Sequence, residues 1–224
     1  MRPAGRLSGV NLALLVSFLV AVLLIQLVPG PGMLFIVANG ITGGARAGVA
    51  AAFGAAAGMV VHTVAAALGL AALFLHAPAV YDGVRVAGAG YLLWLAVKAF
   101  RSAGVAMPTQ TGAPDAAARP VRVFVRALVN NLANPKVILF FVSYLPQFVD
   151  RSRGHVTVQF LVLGALFLLV GLVVVDIPIG LCAGRAGRLL ARRAAVARLA
   201  GKAAGTIYVG LAAWTLRRVV ADAR

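Results

Sequence analysis

The longest uncharged run of this sequence, residues 7–45, is interrupted near its middle by two prolines and two glycines. They form the motif Pro29-Gly30-Pro31-Gly32, which breaks a helix because each proline removes a backbone donor and clashes with the preceding turn. In water this motif would be a loop between two helices. In a bilayer the freed N–H and C=O groups find no water, so such a break persists only where protein or a wet cavity surrounds it. The break is therefore the first candidate for a functional site.

The composition places this break in a membrane protein. Hydrophobic residues make up 62% of the 224 residues and charged residues only 12%, against about 25% charged in soluble domains. The mean hydropathy is +0.98. The formal net charge of +16 comes from basic residues that mostly flank apolar runs. It therefore predicts contact with a lipid bilayer and not with nucleic acid.

Residue types that build metal centres, disulfides or catalytic sites are scarce. The chain has one cysteine, Cys182, and three histidines without metal-ligand spacing. A lone histidine inside an apolar run, such as His62, is more often packed and hydrogen-bonded than a proton carrier. No nucleophile motif or pair of carboxylates indicates an enzyme. We therefore expect no metal, no cofactor and no enzymatic activity.

Six apolar stretches predict an all-α membrane protein with six transmembrane helices, since about 20 residues cross a bilayer. The predicted spans are residues 10–38, 48–75, 82–100, 123–149, 154–175 and 203–216. A glycine-rich turn is predicted at residues 39–46, and the basic stretch 185–202 is typical of an interfacial amphipathic helix. The polar loop 101–122 divides a single transporter domain into halves of about 1–104 and 119–224.

The fourth predicted span carries a second break. It contains Asn131, Asn134, Pro135 and Lys136. The proline disfavours helix at Asn134, and asparagine side chains compete for backbone groups. Each half of the chain thus opens with a span that is broken at a proline motif. Broken helices at corresponding places in two halves indicate the binding site of a transporter, and with three spans each the halves would be inverted repeats.

Two charged residues lie in or beside apolar runs, where a charge is costly and therefore often functional. Lys136 directly follows Pro135 in the second break. It is either a functional charge in the pathway or a lysine whose side chain snorkels to a lipid headgroup. Asp176 stands at the predicted end of the fifth span. It is either a pathway residue or a helix-end carboxylate at the membrane interface, and the sequence leaves both alternatives open.

Five short motifs follow one another along the chain: VPGPGML at 28–34, GGARAG at 43–48, NLANPK at 131–136, FF at 140–141 and LPQFV at 145–149. Together they resemble the LysE/RhtB family of amino-acid exporters. The resemblance implies an exporter in the cytoplasmic membrane, driven by the proton gradient, for amino acids or their derivatives. That family often has Asp or Asn directly after the first Pro-Gly-Pro, whereas this chain has Gly32, which supplies backbone but no side-chain chemistry.

We therefore predict an exporter for a small zwitterion. The helix that begins near Met33 would offer free N–H groups and a positive dipole end to the substrate carboxylate, and Lys136 would add positive charge. Asn131 and Asn134 would bind the substrate or brace the break, while Asp176 would bind the ammonium group or carry the coupling proton. The predicted pathway residues are Pro29, Gly30, Pro31, Gly32, Asn131, Asn134, Pro135, Lys136 and Asp176.

Two alternatives to this function remain open at the level of sequence. One is a cation or metal exporter of the same architecture, which would require several acidic or histidine side chains in the spans. The other is a membrane-embedded partner protein without a transport cycle, which would not require two matched breaks. Assembly of several copies into a homo-oligomer is also left open.

Overall fold

The computed structural model describes residues 12–70, 72, 77–101, 119–150, 154–183 and 194–222. Within these residues the chain is helical and contains no strand, which confirms the predicted all-α class. In chain order the helices are α1 (Leu12–Leu27), α2 (Pro31–Ala65), α3 (Pro78–Arg101), α4 (Pro120–Leu132), α5 (Pro135–Leu139), α6 (Val156–Val170), α7 (Ile177–Cys182) and α8 (Ala194–Asp222). Several of these helices are extended by π-helical turns, at Ala66–Leu70, Phe140–Tyr144 and Gly171–Asp176. A 3-10 turn follows at Leu145–Phe148.

Four of these helices begin at a proline: Pro31, Pro78, Pro120 and Pro135. A proline is well tolerated there because the N–H that it lacks would have no partner in the first turn of a helix. Its ring also disfavours helix at the preceding residue. The two proline motifs therefore become short gaps in the helical path, one before α2 and one before α5.

Helix α2 reverses direction at Gly44, the one residue of the helix with a non-helical backbone (φ 71°, ψ −171°). A Cβ atom placed on Gly40 and one placed on Gly48 would both lie in contact with the same atom, the carbonyl oxygen of Gly180. A straight α-helix would separate residues eight apart by about 12 Å. The helix must therefore fold back, giving a first arm (residues 31–43) and a second arm (residues 45–65). The predicted turn at 39–46 is thus reduced to a single residue, since its other residues are helical.

We expect Gly44→Ala to destabilise the protein by about 2 kcal/mol through backbone strain, because side-chain-bearing residues rarely adopt this conformation. Space is not the cause, since a Cβ at Gly44 would meet no atom within 4 Å. The check is thermal unfolding of the purified protein in detergent. The control is Gly90→Ala, which adds a Cβ to equally open space on a regular helix. An equal effect of the two substitutions would contradict the assignment of strain to Gly44.

Three helical segments are each long and apolar enough to cross a bilayer: Pro31–Gly69, Asp82–Arg101 and Val156–Cys182. The second arm of α2 together with the turn Ala66–Leu70 is longer than the roughly 20 residues needed to cross a bilayer, even without the first arm. A fourth candidate is the pair Pro120–Leu132 and Pro135–Phe148, which is bent by 48° at the second proline motif. Large apolar side chains such as Val129 stand exposed on the outer surface, as contact with lipid requires.

The fifth predicted span does not end at Asp176-Ile177-Pro178, so that boundary is wrong. The helical path continues from α6 through the π-helix Gly171–Asp176 into α7, which ends at Cys182. A proline in a regular α-helix would clash with the carbonyl group one turn before it. The π-helix directly before Pro178 widens the turn at this place and lets the helix continue. Asp176 consequently lies inside a continuous helical path and not at its end.

The predicted interfacial helix 185–202 is also corrected in part. Residues 184–193 lie outside the described residues, as does residue range 102–118 of the predicted polar loop. From Ala194 onward the chain is part of α8, which runs without a break through Lys202 to Asp222. The end of the basic stretch is thus continuous with the sixth predicted span.

Aromatic packing holds the second break against α1 and α6. The rings of Phe140 and Phe167 stack with their centroids 4.1 Å apart, and Phe148 meets Phe18 of α1 edge to face at 5.0 Å. Phe18, Phe140 and Phe167 are almost completely buried. Such pairs contribute about 0.5–1.5 kcal/mol each beyond the burial of their area. The segment after the second break is therefore fixed on the core and can position the polar groups beside it.

Candidate functional site

The two proline breaks lie against each other, although more than a hundred residues separate them in the chain. A Cβ atom placed on Gly32 would lie 3.3 Å from Asn134 Nδ2, and one on Gly30 would lie 3.5 Å from Lys136 Cδ. Glycine at both positions lets the first break approach the side chains of the second. The start of α2 and the start of α5 are therefore close to each other.

Lys136 connects the second break to the end of α1. Its ammonium group donates hydrogen bonds of 2.9 Å to the carbonyl oxygens of Ile25 and Val28. The last carbonyl groups of a helix lack partners within the helix and carry its negative dipole end. A buried cation therefore satisfies two acceptors and the dipole at once. The side chain is 8% exposed and points into the protein, not toward a headgroup.

The backbone of the second break is saturated with hydrogen bonds. The side-chain oxygen of Asn134 accepts from Lys136 N at 3.1 Å, and its backbone carbonyl accepts from Val137 N and Ile138 N at 3.0 and 3.1 Å. Asn134 N donates to the carbonyl oxygen of Asn131 at 3.0 Å. Asn134 is thus the N-cap of α5, and its side chain takes the role that N-cap side chains have in soluble helices.

The first break is different, because it leaves donors free. Leu34 N donates to the carbonyl oxygen of Gly30 at 3.0 Å, which closes the first turn of α2. The N–H groups of Gly32 and Met33 have no partner among the described residues, and Gly30 has no side chain with which to cap them. Together with the positive dipole end of the helix, these N–H groups form a place for an anion.

A small cavity of about 20 Å³, enough for one or two water molecules, lies where the breaks meet. Its polar lining includes Lys136, Asn131 and Asp176, all less than a tenth exposed. The side-chain oxygen of Asn131 is buried without a hydrogen-bond partner among the described residues. Asp176 and Lys136 attract each other electrostatically, but no described residue donates a hydrogen bond to the Asp176 carboxylate. The cavity is therefore lined both by groups that donate hydrogen bonds and by groups that can still accept them.

A sequence profile described as LysE type translocator matches residues 23–218, a range that includes both breaks and every residue that lines the cavity. The chain belongs to the LysE type translocator family. This confirms the resemblance that the two proline motifs indicated. As a LysE-type translocator with several apolar helices able to span a bilayer, the protein is a multi-pass membrane protein.

Curated relatives of this LysE-type translocator are named leucine efflux proteins. The one from Enterobacter sp. (strain 638) is 34% identical over 197 residues, which cover 88% of this chain and 92% of the relative. Those from Klebsiella pneumoniae (strain ATCC 700721 / MGH 78578) and Salmonella typhimurium are each 33% identical, over 198 and 201 residues, with the same coverage. No solved structure matches the chain.

The predicted pathway residues of the translocator lie close together in the structure, some lining the cavity and the others beside it. Five of them line the cavity: Gly32, Asn131, Asn134, Lys136 and Asp176. The other four, Pro29, Gly30, Pro31 and Pro135, shape the two breaks beside it. Their role in transport stays a prediction.

Sequence reasoning missed several residues that line the cavity. Gln26 is the polar one, and its amide nitrogen donates to the carbonyl oxygen of Phe167 at 3.4 Å. A polar residue one position before the end of an apolar helix was a signal that could have revealed it. The others are apolar and carried no such signal: Ile36, Ala55, Met59 and Val137.

His62 lies behind the second break and not in the cavity. Its Nε2 atom is 3.3 Å from the carbonyl oxygen of Asn131, and its ring stacks on Phe141 with the centroids 5.6 Å apart. These contacts are those of a packed, hydrogen-bonded histidine. Among the described residues, no three His, Cys, Asp or Glu side chains are grouped as a metal ion would require.

Proposed function

We propose that this translocator exports amino acids, leucine among them, from the cytoplasm by exchange with protons. The observation that carries the proposal is the pairing of groups around the cavity. Gly32, Met33 and Lys136 contribute N–H donors and positive charge to the cavity, and Asp176 contributes a carboxylate beside the amide of Asn131, whose Oδ1 has no partner among the described residues. A free amino acid presents a carboxylate and an ammonium group on one carbon, so it is complementary to both sets of groups. The printed names of the relatives support leucine as a substrate.

The substrate carboxylate would bind at the start of α2. Gly32 and Met33 line the cavity with the first turn of this helix, where the dipole is positive and their N–H groups have no partner among the described residues. Lys136 stands beside them with two of its three N–H bonds engaged by Ile25 and Val28, so one remains for the substrate. Hydrogen bonds to a charged group contribute about 1.5–3 kcal/mol each, so these donors would add substantially to the affinity.

The substrate ammonium group would bind between Asp176 and Asn131, whose oxygens both accept hydrogen bonds. In the absence of substrate, a proton on Asp176 would neutralise its buried charge. Binding of the ammonium group would displace that proton, and the return of the proton would release the substrate. This alternation couples one proton to one amino acid at a single carboxylate, as exchange requires.

The cavity must widen before an amino acid can enter, since about 20 Å³ holds only water. We assign this structure to a closed state that lies between a state open to the cytoplasm and a state open to the outside of the cell. In the proposed architecture, six spans form two inverted halves with the cavity at their interface. The order of elements in the two halves supports this architecture. In each half a break is followed by a long helical path and then by a last helix, which is α3 in the first half and α8 in the second.

Export itself can be measured in cells fed with dipeptides, which raise the internal concentration of single amino acids. Cells that express the protein should release leucine from a leucine-containing dipeptide several-fold faster than cells that do not. Release should slow when a protonophore removes the proton gradient. Equal release with and without the protein would contradict export and favour a membrane protein without a transport cycle.

Asp176→Asn is expected to lower leucine efflux at least about tenfold, because a tenfold change needs only about 1.4 kcal/mol and a charged hydrogen bond exceeds that. The amide preserves the shape of the carboxylate but can neither bind a proton nor attract the ammonium group. Residual efflux should no longer respond to the protonophore. The control is Asp82→Asn on α3, which removes a carboxylate outside the cavity. Wild-type efflux and protonophore sensitivity in Asp176→Asn would refute the proposed role.

A further inference from the structure

Several residues that line the cavity are apolar, and two of them stand one turn apart on the second arm of α2. These are Ala55 and Met59, which are 4% and 3% exposed. Ile36 on the first arm and Val137 on α5 face the same space. We call these four residues the apolar wall of the cavity. If the charged groups of a bound amino acid are held by the polar residues, its side chain would contact this wall.

The position of the wall is set by close packing between α2 and α4. A Cβ atom on Gly54 would collide with the carbonyl oxygen of Phe124, and one on Gly58 would lie 2.6 Å from Asn131 Oδ1. The two glycines therefore let the second arm lie directly on α4, which fixes its distance and its rotation. Ala55 and Met59 follow these glycines by one residue each, about 100° further around the helix. This places both of them toward the cavity.

We propose that Ala55 and Met59 determine which amino-acid side chains the translocator accepts, with aliphatic side chains of leucine size as the preferred class. The inference rests on the proposed function, since it concerns the same cavity. Alanine is the smallest residue that keeps an apolar surface, so it leaves room for a branched side chain. Methionine is unbranched and flexible, so it can adapt to that side chain but still limits the depth of the pocket. One methylene too many in an apolar pocket changes selectivity by about 10–200-fold.

The test compares two opposite substitutions, with alanine, leucine and phenylalanine supplied as dipeptides to expressing cells. In Ala55→Leu the added side chain fills the space of the substrate, so leucine efflux should fall at least about tenfold relative to alanine efflux. In Met59→Ala the pocket deepens, so phenylalanine efflux should rise at least about tenfold relative to leucine efflux. The controls stand at exposed positions of the same arm: Ala65→Leu repeats the first change, and Val60→Ala is likewise a truncation to alanine. The controls should leave both ratios at their wild-type values.

Failure of this inference differs from failure of the proposed function. If the wild-type protein exports leucine but both substitutions leave the ratios unchanged, the specificity assignment is wrong and amino-acid export stands. If the wild-type protein exports none of the three amino acids, both proposals are overturned. Should Ala55→Leu be absent from the membrane fraction because the added volume prevents folding, Met59→Ala decides the question alone. Amounts of protein in the membrane are measured for every variant.

Discussion

Replacing Lys136 by methionine is expected to reduce leucine efflux by roughly 100-fold, the largest functional effect of any single substitution we propose. Methionine fills nearly the same volume but has no donor and no charge. The substitution removes the positive group beside the start of α2, and it also leaves the carbonyl oxygens of Ile25 and Val28 without their buried partner. Each buried acceptor without a partner costs about 1–3 kcal/mol, so the protein should also unfold more easily.

The loss of stability and the loss of substrate binding can be separated. Gly44→Ala should lower stability to a similar degree without changing any group of the cavity, so its efflux per folded molecule should stay near that of the wild type. Lys98→Met removes a lysine that is exposed over the ring of Trp94 and should have little effect on either property. Efflux of Lys136→Met within twofold of the wild type would show that Lys136 is a structural cap only.

Substituting Gly48 by alanine is expected to have a large effect on folding. The nearest atoms to its missing Cβ are the carbonyl oxygen, the carbonyl carbon and the Cα of Gly180, all of them main-chain atoms. Flexible side chains could move aside, but here the second arm of α2 and α7 would have to separate. Overpacking of this kind costs about 1–3 kcal/mol and occasionally more, and a shift of main chain belongs to the upper part of that range.

This prediction is checked by the amount of folded protein in the membrane and by thermal unfolding in detergent. Gly83→Ala is the control, because a Cβ there would meet no atom within 4 Å. That control should be neutral or slightly stabilising, since alanine favours helix over glycine by up to about 1 kcal/mol. If Gly48→Ala unfolds at the temperature of Gly83→Ala, the helices are less tightly packed at this point than the contact with Gly180 implies.

Local chemistry made the two breaks predictable. Glycine and asparagine before a proline both favour a break in a helix, so the gaps at Gly30 and Asn134 could be predicted from the sequence. The apolar runs likewise determined the all-α class and the membrane location. What no local pattern contains is the partner of Lys136, because the carbonyl oxygens of Ile25 and Val28 become acceptors only when α1 ends at that place in space.

Two errors of boundary have physical reasons. The reversal at Gly44 could not be assigned to one glycine among several, because only the packing of Gly40 and Gly48 on Gly180 determines which residue must turn. The continuation of the helix past Pro178 depends on the π-helix before it, and a wider turn has no distinctive composition. The apolar wall at Ala55 and Met59 could not be predicted either, since such residues are equally common in lipid-facing and core positions.

In the proposed mode of binding, the main-chain N–H groups of Gly32 and Met33 hold the substrate carboxylate, and this has a consequence for how such exporters can evolve. A main-chain donor is present for every residue except proline, so point mutations rarely remove it. The carboxylate is common to all amino acids, whereas the apolar wall meets the part in which they differ. Mutations in the wall can therefore shift the repertoire of exported compounds step by step. Recognition of the common part is inherited unchanged through every intermediate.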